Sequence, residues 1–414
     1  SIINTWTTIQ IFISGYLIKQ SYSKLNKNRI NAFYSNENNS KEIDQIKEEE
    51  YFEIRKINSG SSCHAILIYH IEKEEILVIK QYYSNDLEKL LNREKENYHI
   101  IKNEYLPKFY GTTEVDNFVV IEFIDGQNLM DIKIIHLNEK EKFTIIFQML
   151  SVFKYLHDQH FVYRDLKPNN VIIDSRKTFV LIDFDRMIKE DINGDYTKDL
   201  SSPFLAPEIS TGYSTTKSDI YSIGQMIYYI INESYPNNES PNNSINKHPD
   251  LKYIYDLCTN ENLEKRPSIY QLIELFSKFI INKNILLENL SSEDIFYLAK
   301  ISEQEKNSNE LIRYLSLLSD LNDSDAQLSL GNIYFVGENV KKDVNKAIHY
   351  YTLAAEQNNT KVQFYLGCIY LLGKYVTQDI NKSIHYLTLA ADQDNSDAQF
   401  ILGNIYFEGM YVTK

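Results

Sequence analysis

The sequence is short of cysteine, of basic charge and of long apolar runs. Its three cysteines, Cys63, Cys258 and Cys368, lie far apart and lack the spacing of a metal site. This usage favours a reducing setting and predicts an intracellular, cytoplasmic protein. Lysine and arginine (43) are outnumbered by aspartate and glutamate (57), which gives a formal net charge of −14. That charge argues against nucleic-acid binding, which needs a basic face, and favours cationic partners.

An apolar stretch near the start, residues 2–18, is interrupted by polar residues such as Asn4 and Gln10. A membrane span needs about 20 predominantly apolar residues. A signal peptide needs a basic start and a small-residue cleavage site. Neither is predicted here. The chain begins at Ser1 without an initiator methionine and stops within a repeat, so we expect it to be a fragment.

The hydrophobic pattern changes along the chain. Residues 20–50 are polar, and from Tyr51 short β-like runs such as HAILIYHI and EILVIKQYY follow. After Gly126 the pattern is mostly helical. A sheet-rich segment followed by a helix-rich one predicts two unequal lobes. The predicted domains are an N-terminal extension or linker (1–50), a two-lobed domain (51–281), a linker with a degenerate helical repeat (282–324) and helical repeats (325–414), the last one truncated.

The C-terminal part is repetitive. Gly331, Gly367 and Gly403 recur at intervals of 36 residues, each in a unit with two helical patterns joined by a loop. Glycine and alanine let such helices approach closely, and one unit cannot bury its own face, so the units must stack. On the strings LGNIYFVG, NVKKDVNKA and KAIHYYTLAA, residues 290–414 resemble Sel-one-like repeats, relatives of the tetratricopeptide family. The resemblance implies an all-α solenoid that binds a protein partner.

The most specific motif is YRDLKPNN, residues 163–170, followed by FVLIDFD, residues 179–185. Together with ILVIK, residues 76–80, these strings resemble a eukaryotic protein kinase domain, and the match extends over residues 51–281. The resemblance implies an α+β two-lobed fold that uses ATP and Mg²⁺. The lysine in LKPNN is similar to the serine/threonine-specific pattern rather than the tyrosine-specific one.

The resemblance implies a role for each polar residue of these motifs. Asp165 would orient the substrate hydroxyl and accept its proton, and Lys167 would neutralise charge on the transferred phosphoryl group. Asn170 and Asp183 would bind Mg²⁺, which prefers oxygen ligands. The substrate would be a protein with serine or threonine hydroxyls.

Other residues would hold the nucleotide. Lys80 would contact the α- and β-phosphates and pair with an acidic residue on the next helix, either Glu94, as we expect, or Glu96. FVVIEFIDG resembles the hinge between the lobes. The carbonyl of Glu122 and the N–H of Ile124 would bond the adenine edge.

The phosphate-covering loop is degenerate. The string INSGSSCHA, from Ile57 to Ala65, keeps only the central glycine, Gly60, of a GxGxxG pattern. Asn58 and Cys63 replace the outer two. Because backbone N–H groups cradle the phosphates, we expect nucleotide binding through Ile57, Gly60 and Ala65 to survive in weakened form.

A second departure is Asp185, which stands where the kinase pattern has glycine after Asp183-Phe184. It is expected to restrict flipping of Asp183 and to add a negative charge beside the metal site. The favoured interpretation is an active serine/threonine protein kinase. The alternatives are a pseudokinase scaffold, in which the solenoid and the kinase fold are binding platforms, and a kinase that also acts on tyrosine.

Overall fold

The computed structural model describes residues 45–47, 50–59, 63–82, 88–113, 118–190, 202–236, 244–285, 287–337, 340–373 and 375–408. The chain divides into two units, Ser1–Ile46 and Lys47–Lys414. Strand β1 (Gln45–Ile46) lies in the first unit. The other described elements belong to the second.

An antiparallel sheet forms the upper lobe. Its strands in the second unit are β2 (Tyr51–Ser59), β3 (Cys63–His70), β4 (Glu75–Tyr82), β5 (Phe109–Thr113) and β6 (Val119–Glu122), with helix α1 (Glu88–Ile100) between β4 and β5 in sequence. They pair in the order β5-β6-β4-β3-β2. The central strand β4 is the apolar run ILVIK, buried from Leu77 to Lys80. Its register places Lys80 between Ala65 on β3 and Val119 on β6.

The lower lobe is mainly helical. Its helices are α2 (Ile132–Ile135), α3 (Glu139–Asp158), α4 (Thr216–Asn232), α5 (Pro249–Cys258) and α6 (Ile269–Asn282). A capping box begins α3, because Asn138 and Glu141 each accept a hydrogen bond from the other's backbone N–H. Short strands complete the lobe: β7 (Gly126–Asn128), β8 (Phe161–Val162), β9 (Val171–Asp174), β10 (Phe179–Leu181) and β11 (Ile188–Lys189).

Antiparallel helix pairs follow the lower lobe. They are α7 (Ser292–Gln304), α8 (Ser308–Asp320), α9 (Ser324–Val336), α10 (Val344–Glu356), α11 (Thr360–Leu372), α12 (Ile380–Ala391) and α13 (Ser396–Glu408). The predicted close approach is present, since a Cβ on Gly331 would lie 2.3 Å from Cε1 of Tyr351 on the next helix. The predicted fold class, two α+β lobes and then an all-α solenoid, is confirmed.

Glutamines join the two halves of a repeat and also connect the repeat to the helix before it. The Gln357 amide donates to Gln327 Oε1 at 2.7 Å, and Gln393 donates to Gln363 Oε1 at the same distance. Gln327 and Gln363 are almost fully buried, with 1% and 0% of their surfaces exposed. Each donates its own amide to a backbone carbonyl of the helix before it, Ser319 O and Ala355 O. These bonds satisfy side chains that would otherwise be costly to bury.

The largest hydrophobic core does not stop at the end of the lower lobe. Its buried apolar side chains run without a break from Leu67 in β3 to Leu330 in α9, and smaller clusters surround Tyr351 and Leu387. Helices α7 to α9 therefore share a core with the lower lobe. In the described part of the chain, no helix combines the length and apolarity that a membrane crossing requires.

Candidate active site

Lys80 is the centre of an ion-pair network between the lobes. Its ammonium group contacts Glu94 Oε1 from α1 and lies 2.8 Å from Asp183 Oδ1. Burial acts to lower the pKa of Lys80, but the charges of Asp183 and Glu94 outweigh it and hold that pKa well above its usual range. Lys80 is therefore charged. The structure pairs it with Glu94, which is fully buried, whereas the Glu96 side chain is exposed.

Glu94 has further donors. The hydroxyl of Tyr82 donates to Glu94 Oε2 at 2.5 Å, and the backbone N–H of Phe184 donates to Oε1 at 3.3 Å. Tyr82 was not among the predicted site residues. Its position two residues after Lys80 on the same strand, where side chains point to the same face, is the signal that could have found it. The carboxylate is thus fixed by three groups from two parts of the chain, strand β4 and the segment at Phe184.

Asp165 lies in a polar cluster on the loop after β8. The Lys167 ammonium donates to both of its carboxylate oxygens, at 2.9 and 2.8 Å. The Asn170 amide donates to Asp165 O and Oδ2, each at 2.9 Å. Burial raises the pKa of Asp165, and the charges of Lys167 and Arg186 oppose that shift only in part. The structure therefore brings the predicted site residues Asp165, Lys167 and Asn170 into contact with one another.

Asp219, at the start of α4, braces this loop from below. It is fully buried and accepts the backbone N–H groups of Tyr163 and Arg164, each at 2.9 Å. His157 Nε2 lies 3.1 Å from its Oδ2. Arg164 has a φ of 68°, a conformation that is unfavourable for a residue with a side chain and needs such support.

Asp183 also has a left-handed backbone, with φ of 71°. The next side chain, Phe184, is fully buried, and its ring packs edge-on against Tyr98 of α1 at 5.0 Å and against Tyr163 at 5.7 Å. The Asn97 amide of α1 donates to the Phe184 carbonyl at 2.7 Å. These contacts hold the segment so that Asp183 faces Lys80.

Tyr163 occupies the position at which the kinase pattern has histidine. Its ring packs edge-on against Phe153 and Phe184. Its hydroxyl donates to the Ile182 carbonyl at 2.5 Å, a bond that the sequence did not predict. Tyr163 therefore ties the loop that carries Asp165 to the residue before Asp183.

Asp185 differs from the expectation in its charge. It is 5% exposed, and burial together with the charges of Asp183 and Glu94 raises the pKa of its carboxyl to about 8. At neutral pH the side chain holds its proton for most of the time, so the expected additional negative charge is largely absent. The left-handed backbone lies at Asp183, two residues earlier, and not at Asp185.

The donor set of Asp183 and Asn170 suits Mg²⁺. Both hydrogen bonds of the Asn170 side chain use its nitrogen, which leaves the amide oxygen for a cation beside the Asp183 carboxylate. Within the described ranges, no group of three or more His, Cys, Asp or Glu side chains is arranged to hold a metal. Two protein oxygens are nevertheless enough where substrate phosphates and water supply the remaining Mg²⁺ ligands.

Three of the predicted nucleotide-binding residues, Ile57, Ala65 and Glu122, lie on strands of the upper-lobe sheet. Ala65 is the cross-strand neighbour of Lys80, and Ile57 lies on β2 with 41% of its surface exposed. Glu122 ends β6, and Ile124 follows in the connection to the lower lobe. Gly60, the central glycine of the predicted loop, lies outside the described residues. The contacts of these five residues with a nucleotide stay predictions.

Comparison with known proteins agrees with this geometry. The family model described as protein kinase domain matches residues 51–324, and the Sel1 repeat model matches 324–359, 360–395 and 396–414. The chain is 31% identical over 194 residues to maternal embryonic leucine zipper kinase of Xenopus tropicalis, covering 44% of this chain and 30% of that protein.

Two further relatives have related descriptions. A probable serine/threonine-protein kinase of Dictyostelium discoideum is 28% identical over 222 residues, covering 48% of this chain and 37% of that protein. Serine/threonine-protein kinase D of a Synechocystis species is 34% identical over 147 residues, covering 32% of this chain and 28% of that protein. The chain thus spans about a third of the length of the curated relatives it matches.

Proposed function

The chain belongs to the protein kinase family, and we propose that it transfers the γ-phosphate of ATP to serine and threonine hydroxyls of proteins. The observation that carries this proposal is the contact of Lys80 with both Glu94 and Asp183. Phosphoryl transfer by protein kinases requires this lysine–glutamate pair and the metal-binding aspartate together. Lys167 in LKPNN, and the serine/threonine kinases among the relatives, support the choice of hydroxyl.

Asp165 would receive the substrate hydroxyl, orient it towards the γ-phosphate and accept its proton. The Lys167 ammonium, which contacts both Asp165 oxygens, is a flexible point charge that would move to the transferred phosphoryl group. Lys80 would hold the α- and β-phosphates. Asp183 and Asn170 would hold Mg²⁺, which would neutralise the charge of the phosphates.

One observation favours the alternative of a pseudokinase scaffold. Asp185 places a buried carboxyl beside Asp183, and its Oδ1 has no hydrogen-bond partner within the structure described. This buried carboxyl, together with the loss of two glycines from the loop between Ile57 and Ala65, would weaken the binding of a nucleotide. In that case the repeats would carry the function as a protein-binding surface.

A radiolabelled-phosphate transfer assay with Mg²⁺-ATP and a generic basic protein distinguishes the two proposals. We expect the wild type to label the substrate and Asp165→Asn to lose that labelling, because the amide cannot accept the hydroxyl proton. Phosphoamino-acid analysis should find phosphoserine and phosphothreonine. Phosphotyrosine in addition would favour a kinase of both specificities.

Nucleotide binding is measured separately, by the shift in thermal unfolding temperature with Mg²⁺-ATP. Binding without labelling by either protein would contradict the enzyme proposal and favour the scaffold. Labelling that is equal in wild type and Asp165→Asn would show that the assayed activity comes from a contaminant.

The solenoid is proposed to bind a protein, a substrate or regulator, and to raise its effective concentration near the lower lobe. Because the main core continues to Leu330, a deletion starting at residue 290 would cut through it. Removal of residues 340–414 leaves that core whole and is the appropriate test. An unchanged rate on a physiological substrate would refute this role.

A further inference from the structure

Residues 287–289, between α6 and α7, contact the lower lobe. The Gln148 amide of α3 donates to the Asn289 carbonyl at 2.5 Å, and the Asn289 amide donates to the Arg176 carbonyl at 2.6 Å. Leu287 is 2% exposed. The first turn of α7 then lies against α3 and the loop after α1.

Asp294 in that first turn is buried in contact with two other elements. Its Oδ1 accepts the Ser151 hydroxyl of α3 at 2.5 Å, and its Oδ2 accepts the Tyr105 hydroxyl at 2.9 Å. The Tyr105 hydroxyl in turn accepts the backbone N–H of Ser291 at 3.0 Å. Asp294 and Tyr105 are 8% and 2% exposed, so water does not compete effectively for these bonds.

Tyr105 belongs to the loop between α1 and β5, and it touches the active-site scaffold through its backbone. Its carbonyl accepts the N–H of Leu181 at 3.0 Å, two residues before Asp183. The same loop continues from α1, the helix that carries Glu94. Tyr105 therefore lies where the loop after the Glu94 helix meets strand β10, which precedes Asp183, and its hydroxyl donates to Asp294 of α7.

We propose that Tyr105 and Asp294 are positioning residues, through which helix α7 fixes the segment that presents Asp183. The catalytic part of this proposal rests on the proposed kinase function. The structural part does not, because it concerns the backbone bond between Tyr105 and Leu181. Helix α7, which follows the lower lobe in the chain, then contributes to the placement of the metal-binding aspartate.

The test uses Tyr105→Phe in the full chain, which keeps the buried ring and removes the hydroxyl. Ser151→Ala is the matched control, since it removes the other bond to Asp294 and leaves the loop after α1 untouched. Hydrogen exchange is followed on peptides that cover residues 179–184. We expect about fivefold faster exchange in Tyr105→Phe, the factor for loss of roughly one buried hydrogen bond. Wild-type exchange is expected in Ser151→Ala.

Kinetics provide the second measurement. In Tyr105→Phe, the Mg²⁺ concentration for half-maximal rate should rise about fivefold, while the KM for the protein substrate stays unchanged. Equal exchange in wild type and Tyr105→Phe would overturn the proposal, and so would equally faster exchange in Ser151→Ala. Faster exchange with an unchanged Mg²⁺ dependence would mean that Tyr105 and Asp294 stabilise the fold without positioning Asp183, which also overturns the proposal.

If the wild type transfers no phosphate, the proposed function fails but this proposal is still tested. The Mg²⁺ dependence of ADP binding then replaces the rate measurement. A higher Mg²⁺ concentration for half-maximal ADP binding in Tyr105→Phe supports positioning, and an unchanged concentration overturns it.

Discussion

Replacing Gly331 by alanine tests whether the repeated glycine exists to let two helices approach. Three equivalent positions in the solenoid offer a graded series. A Cβ on Gly331 would lie 2.3 Å from Cε1 and 2.4 Å from Cδ1 of Tyr351. A Cβ on Gly367 would lie 2.6 Å from Cγ of Leu387, and one on Gly403 would meet nothing within 4 Å. The same substitution therefore has three different surroundings.

The structure sets the size and sign of each effect. Tyr351 is 3% exposed and its hydroxyl donates to Asn332 Oδ1 at 2.8 Å, so its ring cannot easily move away. Overpacking of this kind costs about 1–3 kcal/mol. The higher helix propensity of alanine returns about 1 kcal/mol. The expected net change is a destabilisation of up to about 2 kcal/mol for Gly331→Ala. For Gly403→Ala only the propensity gain of up to about 1 kcal/mol remains.

Hydrogen exchange read by mass spectrometry measures the effect repeat by repeat, which a global unfolding curve of a multi-domain chain cannot do. Peptides from α9 and α10 should exchange faster in Gly331→Ala, by up to about 30 times. Peptides from α13 should exchange more slowly in Gly403→Ala, and Gly367→Ala should fall between the two because a leucine can rotate. Equal destabilisation at Gly331 and Gly403 would refute the reasoning, since it would mean that the helix backbone itself requires glycine.

Two other predictions concern the upper lobe. Tyr82→Phe should lower the free energy of unfolding by about 1.5–3 kcal/mol, because it removes a buried hydrogen bond to the Glu94 carboxylate. Hydrogen exchange of peptides from β4 and α1, with Tyr69→Phe as the control, measures this, and equal losses in both variants would contradict it. Burial raises the pKa of the Cys63 thiol to about 12, so the neutral thiol persists below that pH. Iodoacetamide should therefore label Cys63 very slowly at pH 8, with a rate that rises about tenfold per pH unit, and rapid labelling at pH 8 would disprove it.

The sequence predicted the parts of the site that lie on short, spaced motifs. Lys80, Asp165 and Asp183 follow apolar strands or turns of a fixed pattern, and the structure brings them into one region. The partner Glu94 lies 14 residues from Lys80, which a single strand–helix step can span. For such residues, the local pattern and the family resemblance are enough to predict that they lie close together.

Residues that act through long-range contacts could not be predicted in the same way. Tyr105 and Asp294 are separated by 189 residues, and neither stands in a motif. A buried aspartate on a helix looks the same in sequence as an exposed capping residue. The protonation of Asp185 also depends on burial and on neighbouring charges, which only the folded arrangement provides.

The predicted boundaries of the domains stay predictions, but the core adds a physical reason for the difficulty. Helices α7 and α8 have the pattern of a degenerate repeat, yet their buried side chains join the same cluster as the lower lobe. Periodicity identifies which face of a helix is apolar and does not identify the partner that covers it.

The glutamine–glutamine bonds of the solenoid occur once in each of the repeats 324–359 and 360–395. Gln327 and Gln363 occupy equivalent positions 36 residues apart, and each receives the amide of an equivalent glutamine, Gln357 or Gln393. A duplication or loss of a whole repeat would preserve every such joint, whereas a change that moves Gln327 away from Gln357 would leave a buried amide unmatched. Homologous chains could therefore differ in the number of repeats, and so in reach from the catalytic lobes, while keeping each joint unchanged.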